Sequence, residues 1–174
     1  MISGAFPNSK SFATPFGIRH ALSSQELFDS ALALYQINPK TQATLRRAVS
    51  TSYYALFHFL IEEACKNWTR PEQRPALARV FEHKRMLDAS NSRVARYKNA
   101  ASGSAEFHLY SVAYAFCQLQ QKRHHADYDL SSTLATSNVE LALDSVAEAF
   151  TSWSAIQHDQ IAQDYLFSLL FKER

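Results

Sequence analysis

A chain of 174 residues and 19.7 kDa, 47% hydrophobic, is the size of one domain and can bury a sizeable core, which excludes a disordered or low-complexity polypeptide. The formal net charge of +2 conceals an asymmetry: residues 66–98 hold nine Lys/Arg against Glu72, Glu82 and Asp88, a balance of +6 that leaves −4 for the rest. No run approaches eighteen uninterrupted apolar residues, and residues 1–17 lack the basic start and apolar stretch of a signal peptide, so neither a membrane span nor secretion is expected. Cys65 and Cys117 sit in apolar helical patterns without a CxxC partner, which fits buried free thiols in a reducing, cytoplasmic setting.

Residues 1–22, with Pro7 and Pro15 among Ser and Asn, read as a poorly ordered or surface-packed arm, and residues 23–174 as the folded unit. Ser23 with Glu26 three residues on forms a capping box that opens a helix with Leu27, Ala31 and Leu34 on its apolar side. Asn38 followed by Pro39 predicts the cap and first position of the next helix. That helix runs to about residue 67. It has a core side at Leu45, Val49, Leu56, Leu60 and Ala64 and a polar stripe at Arg47, Thr51, Tyr54, His58 and Glu62. The region after it is the least regular, with a short helical piece around residues 75–86 and a Ser/Asn/Gly-rich connection to about residue 104.

Periodicity returns at residues 105–123, where Leu109, Val112, Phe116 and Leu119 follow spacings of three, four and three. Val139, Leu143, Val146, Phe150 and Trp153 mark a further helix, with Ser137 and Glu140 spaced as a capping box. A last short helix faces inward with Ile161, Tyr165, Leu166 and Leu169. No strand pattern, internal repeat or Gly-rich phosphate loop competes, so the predicted class is all-α with an antiparallel bundle.

Arg123 is the next term of the Leu109 stripe, which sends its guanidinium toward the core, where it needs an acceptor or a ligand. Asp127, four residues on, is the nearest candidate partner, and a plain helix clamp between the two is the competing reading. His124 and His125 lie about 100° apart and cannot both share the Arg123 face, whereas His124 and Tyr128 share one. In a metal-free ribonuclease a histidine donates a proton to the leaving oxygen while an arginine stabilises charge on phosphorus, and a tyrosine with an ordinary pKa near ~10 is a poor substitute. His58 and Glu62 have ligand spacing but no third ligand, so no metal site and no cofactor are predicted, and His20, His83, His108 and His158 read as surface or packing residues. In the basic region, Arg70, Arg74, Arg79, Lys84, Arg85, Arg93 and Arg96 are interleaved with Trp68, Phe81 and Tyr97, a mixture suited to phosphate contact and base stacking and equally to a solvated face.

Two stretches, LRRAVSTSYYALFHFLIEEA at 45–64 and LQQKRHHADYDL at 119–130, together resemble the paired signatures of HEPN-domain proteins, bacterial and archaeal helical bundles; His83 with Met86 between them resembles a weaker feature of that family. The resemblance spans residues 23–171. It implies a helical bundle, commonly a homodimer that brings two Arg-bearing helices together, in a family of metal-independent toxin ribonucleases, often restrained by nucleotidyltransferase-type partners, and of non-catalytic RNA-associated modules. Catalytic members carry arginine, four to six residues, then histidine; here Arg123 is followed after four residues by Tyr128. The favoured expectation is a non-catalytic homodimer binding RNA, a nucleotide or a protein partner through a cleft of Arg47, Tyr54, His58, Arg123, Asp127 and Tyr128. The alternatives are an endoribonuclease using His124 or His125, which requires the helix to unwind after Arg123, and a structural or regulatory dimer with no nucleic-acid ligand.

Overall fold

The computed structural model of the protein describes residues 23–171, and the arm expected at 1–22 lies outside them. Among the described residues there are seven α-helices, a 3-10 turn and no strand: α1 Ser24–Gln36, α2 Gln42–Lys66, the turn Pro71–Gln73, α3 Arg74–Ala78, α4 His83–Tyr97, α5 Ala105–Tyr128, α6 Thr136–Ile156 and α7 Gln160–Leu170. The chain is an all-α helical bundle in which α2 is central, packing on α1, α5 and α6, while α4 and α7 cover the other flank of α5.

The apolar stripes read from the sequence form the core. Leu45, Val49, Leu56 and Leu60 of α2, Leu109, Val112, Phe116 and Leu119 of α5 and Val139, Val146 and Trp153 of α6 are all buried in one cluster. Each such side chain removed from water contributes roughly 1.5–3 kcal/mol, so these stripes outweigh any local preference of the chain. The Ser23 capping box is present in both directions, with Glu26 N–H on Ser23 Oγ at 3.1 Å and Ser23 N–H on a Glu26 carboxylate oxygen at 2.7 Å. Cys65 and Cys117 are buried free thiols.

Three local expectations are corrected. The cap of α2 is Thr41, not Asn38: Thr41 and Thr44 exchange hydroxyl and amide hydrogen bonds, so the helix begins at Gln42, and Asn38 and Pro39 lie in the preceding turn. The cap of α6 falls at Ala135, whose N–H donates to Asn138 Oδ1 at 2.8 Å; Glu140 is occupied elsewhere, accepting from the Tyr35 hydroxyl. The connection expected up to residue 104 is largely helix, since α4 runs to Tyr97 through Ser90, Asn91 and Ser92. Those residues favour turns in isolation, but Met86, Ser90 and Arg93 form a buried face, and Ser90 Oγ bonds both Met86 O at 2.7 Å and Tyr165 OH at 2.8 Å. Tertiary contact with α5, where Cys117 Sγ donates to Asn91 Oδ1 at 3.3 Å, and with α7 thus stabilises a helix that local propensity does not reveal.

Candidate functional site: an arginine among tyrosines

The site lies where α5 crosses the middle of α2. Because α5 stays helical to Tyr128, Arg123 keeps the inward direction of its stripe but lies near the helix end, where solvent still reaches it; its side chain is 22% exposed and that of Asp127 28%. Nε of Arg123 approaches Asp127 Oδ2 at 2.7 Å as an ion pair without an aligned N–H···O, and Nη2 donates to the Tyr54 hydroxyl at 3.0 Å. The other carboxylate oxygen of Asp127 accepts from Ser50 Oγ on α2. The guanidinium carbon stands 5.9, 5.6 and 5.6 Å from the ring centres of Tyr53, Tyr54 and Tyr128, within cation–π range of all three. Burial works against the charge of Arg123, but Tyr54, Asp127 and Tyr128 outweigh it and hold the guanidinium above its ordinary pKa.

A histidine from a third helix completes the group. His83, the first residue of α4, stacks on Phe57 with ring centres 4.1 Å apart and places Nδ1 2.6 Å from the hydroxyl of buried Tyr53. Its pKa is lowered by burial first, then by the charges of Arg123 and His58. His58 is likewise pushed down by burial, with Glu62 opposing. The Glu62 carboxylate is committed to α1, accepting from Ser24 N–H and Ser24 Oγ at 2.7 Å each, which satisfies the free amide of buried Ser24 at that helix start. Among the described residues no three His, Cys, Asp or Glu side chains gather as a metal cluster.

Of the residues singled out in the sequence, Tyr54, Arg123, Asp127 and Tyr128 come together, with His58 6.5 Å from Tyr54 between ring centres. Arg47 is exposed on the same α2 face two turns before Tyr54 and has no polar partner among the described residues. His124 is exposed, its ring 4.9 Å from that of Tyr128, which is 64% exposed. His125 points away from Arg123: Nδ1 is 3.3 Å from Asp129 and Nε2 2.8 Å from Ser132 Oγ, so it helps close the end of α5. Asp129 caps that turn, and the Ser131 hydroxyl, foremost among its hydrogen bonds, holds its carboxyl below the usual range. The unwinding after Arg123 that a histidine-based rescue requires is therefore absent.

Sequence reasoning passed over two members. Arg46 donates to Ala126 O at 2.8 Å and to Ser132 O, tying α2 to the carbonyls at the end of α5. Its spacing of four from Ser50, which holds Asp127, was the available signal, since both lie on one helical face. For His83 the only signal was its place beside Met86 in the weaker family-like feature; the chain between it and Tyr53 reveals nothing about their meeting.

The basic region divides. Arg74 holds Trp68 O and Lys66 O at 3.1 Å each, Arg85 holds Leu170 O at 2.9 Å, Lys84 pairs with Asp88 at 3.0 Å, and Arg96 lies over Tyr97 at 5.4 Å. Arg93 is buried at 4% exposure, and its charge acts on Tyr165. Arg70 and Arg79 remain exposed. Of the aromatics in this region Phe81 is buried, Tyr97 is half-buried and Trp68 is 46% exposed.

Fold and site together define an all-helical bundle with an arginine held among tyrosines at the junction of three helices. Among the described residues no helix is long and apolar enough to cross a membrane. Comparisons with family models, curated proteins and solved structures return no match for this chain.

Proposed function

We propose that the chain is a HEPN-like, antiparallel helical bundle that binds RNA through Arg123 without cleaving it, acting as a homodimer in the cytoplasm. The observation that carries this reading is the state of Arg123: two of its nitrogens are held by Asp127 and Tyr54, while Nη1 has no partner among the described residues. A guanidinium fixed in this way needs little further ordering to receive a phosphate oxygen. Exposed Tyr128 and His124 border it and exposed Arg47 lies two turns along the same α2 face, suited to further phosphate contact and to stacking on a base. The non-catalytic part of the reading is supported by Tyr128 at the place of the family histidine and by the engagement of His125 with Asp129 and Ser132.

The test is fluorescence anisotropy of a labelled single-stranded RNA at several salt concentrations, beside incubation of mixed RNA in EDTA. The expected result is binding that weakens as salt rises, is lost in Arg123→Ala, and leaves the RNA intact. Cleavage by the wild type that disappears in Arg123→Ala would replace this reading with the ribonuclease. The helix-clamp reading is favoured by one observation, the bridge from Arg123 to Tyr54 and through Asp127 to Ser50, which joins α5 to α2. On that reading Arg123→Ala lowers stability and alters no binding.

A further inference from the structure

His83 enters the sequence reading only as a weaker feature beside Met86, yet it is held in the group by a hydrogen bond to Tyr53 and by stacking on Phe57. Tyr53 is fully buried, and its hydroxyl has one partner among the described residues, Nδ1 of His83 at 2.6 Å. Burial, opposed by Arg123, raises the Tyr53 pKa well above the usual phenol range, so the hydroxyl keeps its proton. A buried O–H requires an acceptor, and here that acceptor is Nδ1. An imidazole that accepts at Nδ1 carries its hydrogen on Nε2, and stacking on Phe57 fixes the ring plane.

The groups facing His83 bring no uncommitted carboxylate to it. From α2 it meets Tyr53, Tyr54 at 6.2 Å between ring centres, Phe57 and His58; from α5, Arg123. The nearby carboxylates are committed, Asp127 to Arg123 and Ser50, and Glu62 to Ser24. Tyr54 accepts from Arg123 Nη2, which leaves the Tyr54 hydroxyl hydrogen to be donated elsewhere. The open valences of His83, Tyr54 and Arg123 are therefore donors, and a ligand that matches these three is an acceptor-only oxyanion, while the neighbouring His58 ring adds one donor and one acceptor nitrogen.

We propose that His83 Nε2–H, the Tyr54 hydroxyl and Arg123 Nη1 form one receptor for a phosphoryl group, with Tyr53 as the positioning residue that sets the His83 tautomer. This rests on the reading that Arg123 binds RNA and adds the α4 histidine as a second anchor. Phosphate suits the set because its tetrahedral oxygens accept donors arriving from α2, α4 and α5 outside any one plane, whereas the two oxygens of a carboxylate accept mainly in the carboxylate plane. The same chemistry is offered by a phosphodiester within RNA and by a terminal or free phosphate.

The experiment uses the full chain labelled with nitrogen-15 at histidine. Long-range proton–nitrogen spectra at pH 7.5 should show His83 in the Nε2–H form, and in Tyr53→Phe a mixture of tautomers. Titration with inorganic phosphate, 5′-AMP and a short RNA lacking terminal phosphate should shift the His83 signals saturably in at least one arm. A response to the RNA alone identifies the diester, and a response to phosphate and AMP a terminal phosphoryl group. His83→Leu should weaken binding of that ligand by at least about tenfold, the scale of one hydrogen bond to a charged acceptor, while His83→Gln, which keeps an N–H near the Nε2 position, retains most of it. An Nδ1–H tautomer in the wild type overturns the proposal, as does His83→Leu binding RNA like wild type while Arg123→Ala does not; the Arg123 reading then survives. Absence of any His83 response to all three ligands in the wild type overturns the proposal, and absence of RNA binding by anisotropy as well overturns the Arg123 reading with it.

Discussion

Replacing Arg123 by Met keeps the aliphatic stem and removes the guanidinium. The change deletes the 2.7 Å ion pair with Asp127 and the 3.0 Å hydrogen bond to Tyr54 and leaves the Asp127 carboxylate with Ser50 alone. Exposed pairs of this kind contribute about 0.2–1 kcal/mol, and breaking a buried one costs about 3–5 kcal/mol. With side chains 22% and 28% exposed, the pair lies between those limits, and solvent screening brings the expected loss to about 1–2 kcal/mol. For a domain of this size each kcal/mol lowers Tm by roughly 2–4 °C, so the expected shift is about 2–8 °C downward at pH 7. Urea unfolding of wild type, Arg123→Met, Asp127→Asn and the double variant gives the coupling energy, expected near ~1 kcal/mol. A change in Arg123→Met within about 0.5 kcal/mol of zero, or a coupling indistinguishable from zero, would refute the linkage and with it the account of how Arg123 is held.

Three further outcomes follow from the same physics. Trp153→Phe removes the indole N–H that donates to buried Glu63 at 2.9 Å and should destabilise by about 1–3 kcal/mol in urea, whereas Trp68→Phe, which removes an indole N–H donated to Gln73 Oε1 at 2.9 Å on the exposed surface, should cost no more than about 0.5 kcal/mol. His58 and His83 have folded pKa values below the ordinary 6.5, so the unfolded chain binds more protons in that window; Tm should fall as pH drops below about 6.5 and stay flat above it, and His58→Gln with His83→Gln should flatten the profile. Burial pushes the Cys117 thiol up to about 11, so Cys117 should resist a disulfide reagent at pH 8 in the native protein and react on unfolding, which thiol titration with and without urea measures.

The apolar stripes of α2, α5 and α6 and the Ser23–Glu26 cap were legible in the sequence because each depends on spacings of three and four within one segment. Arg123 was legible on the same ground, as a charged residue continuing an apolar stripe, and Asp127 followed at one turn's distance. The extent of α4 was not, because a Ser-Asn-Ser run is a poor helix former and becomes helical through contacts with α5 and α7, made by Asn91 on Cys117 and by Ser90 on Tyr165 seventy-five residues away. The same limit divided the basic residues: composition counts Arg93 with Arg70, and only packing buries one and leaves the other in solvent. What the sequence by itself determined is the helical class, the faces that meet in the core and the arginine at the end of one of them. The tertiary structure alone decided that Tyr53 hydrogen-bonds His83 across thirty residues and that Arg46 and Ser50 hold the end of α5, because such contacts depend on where helices cross, and helix crossing is set by the packing of all the faces at once.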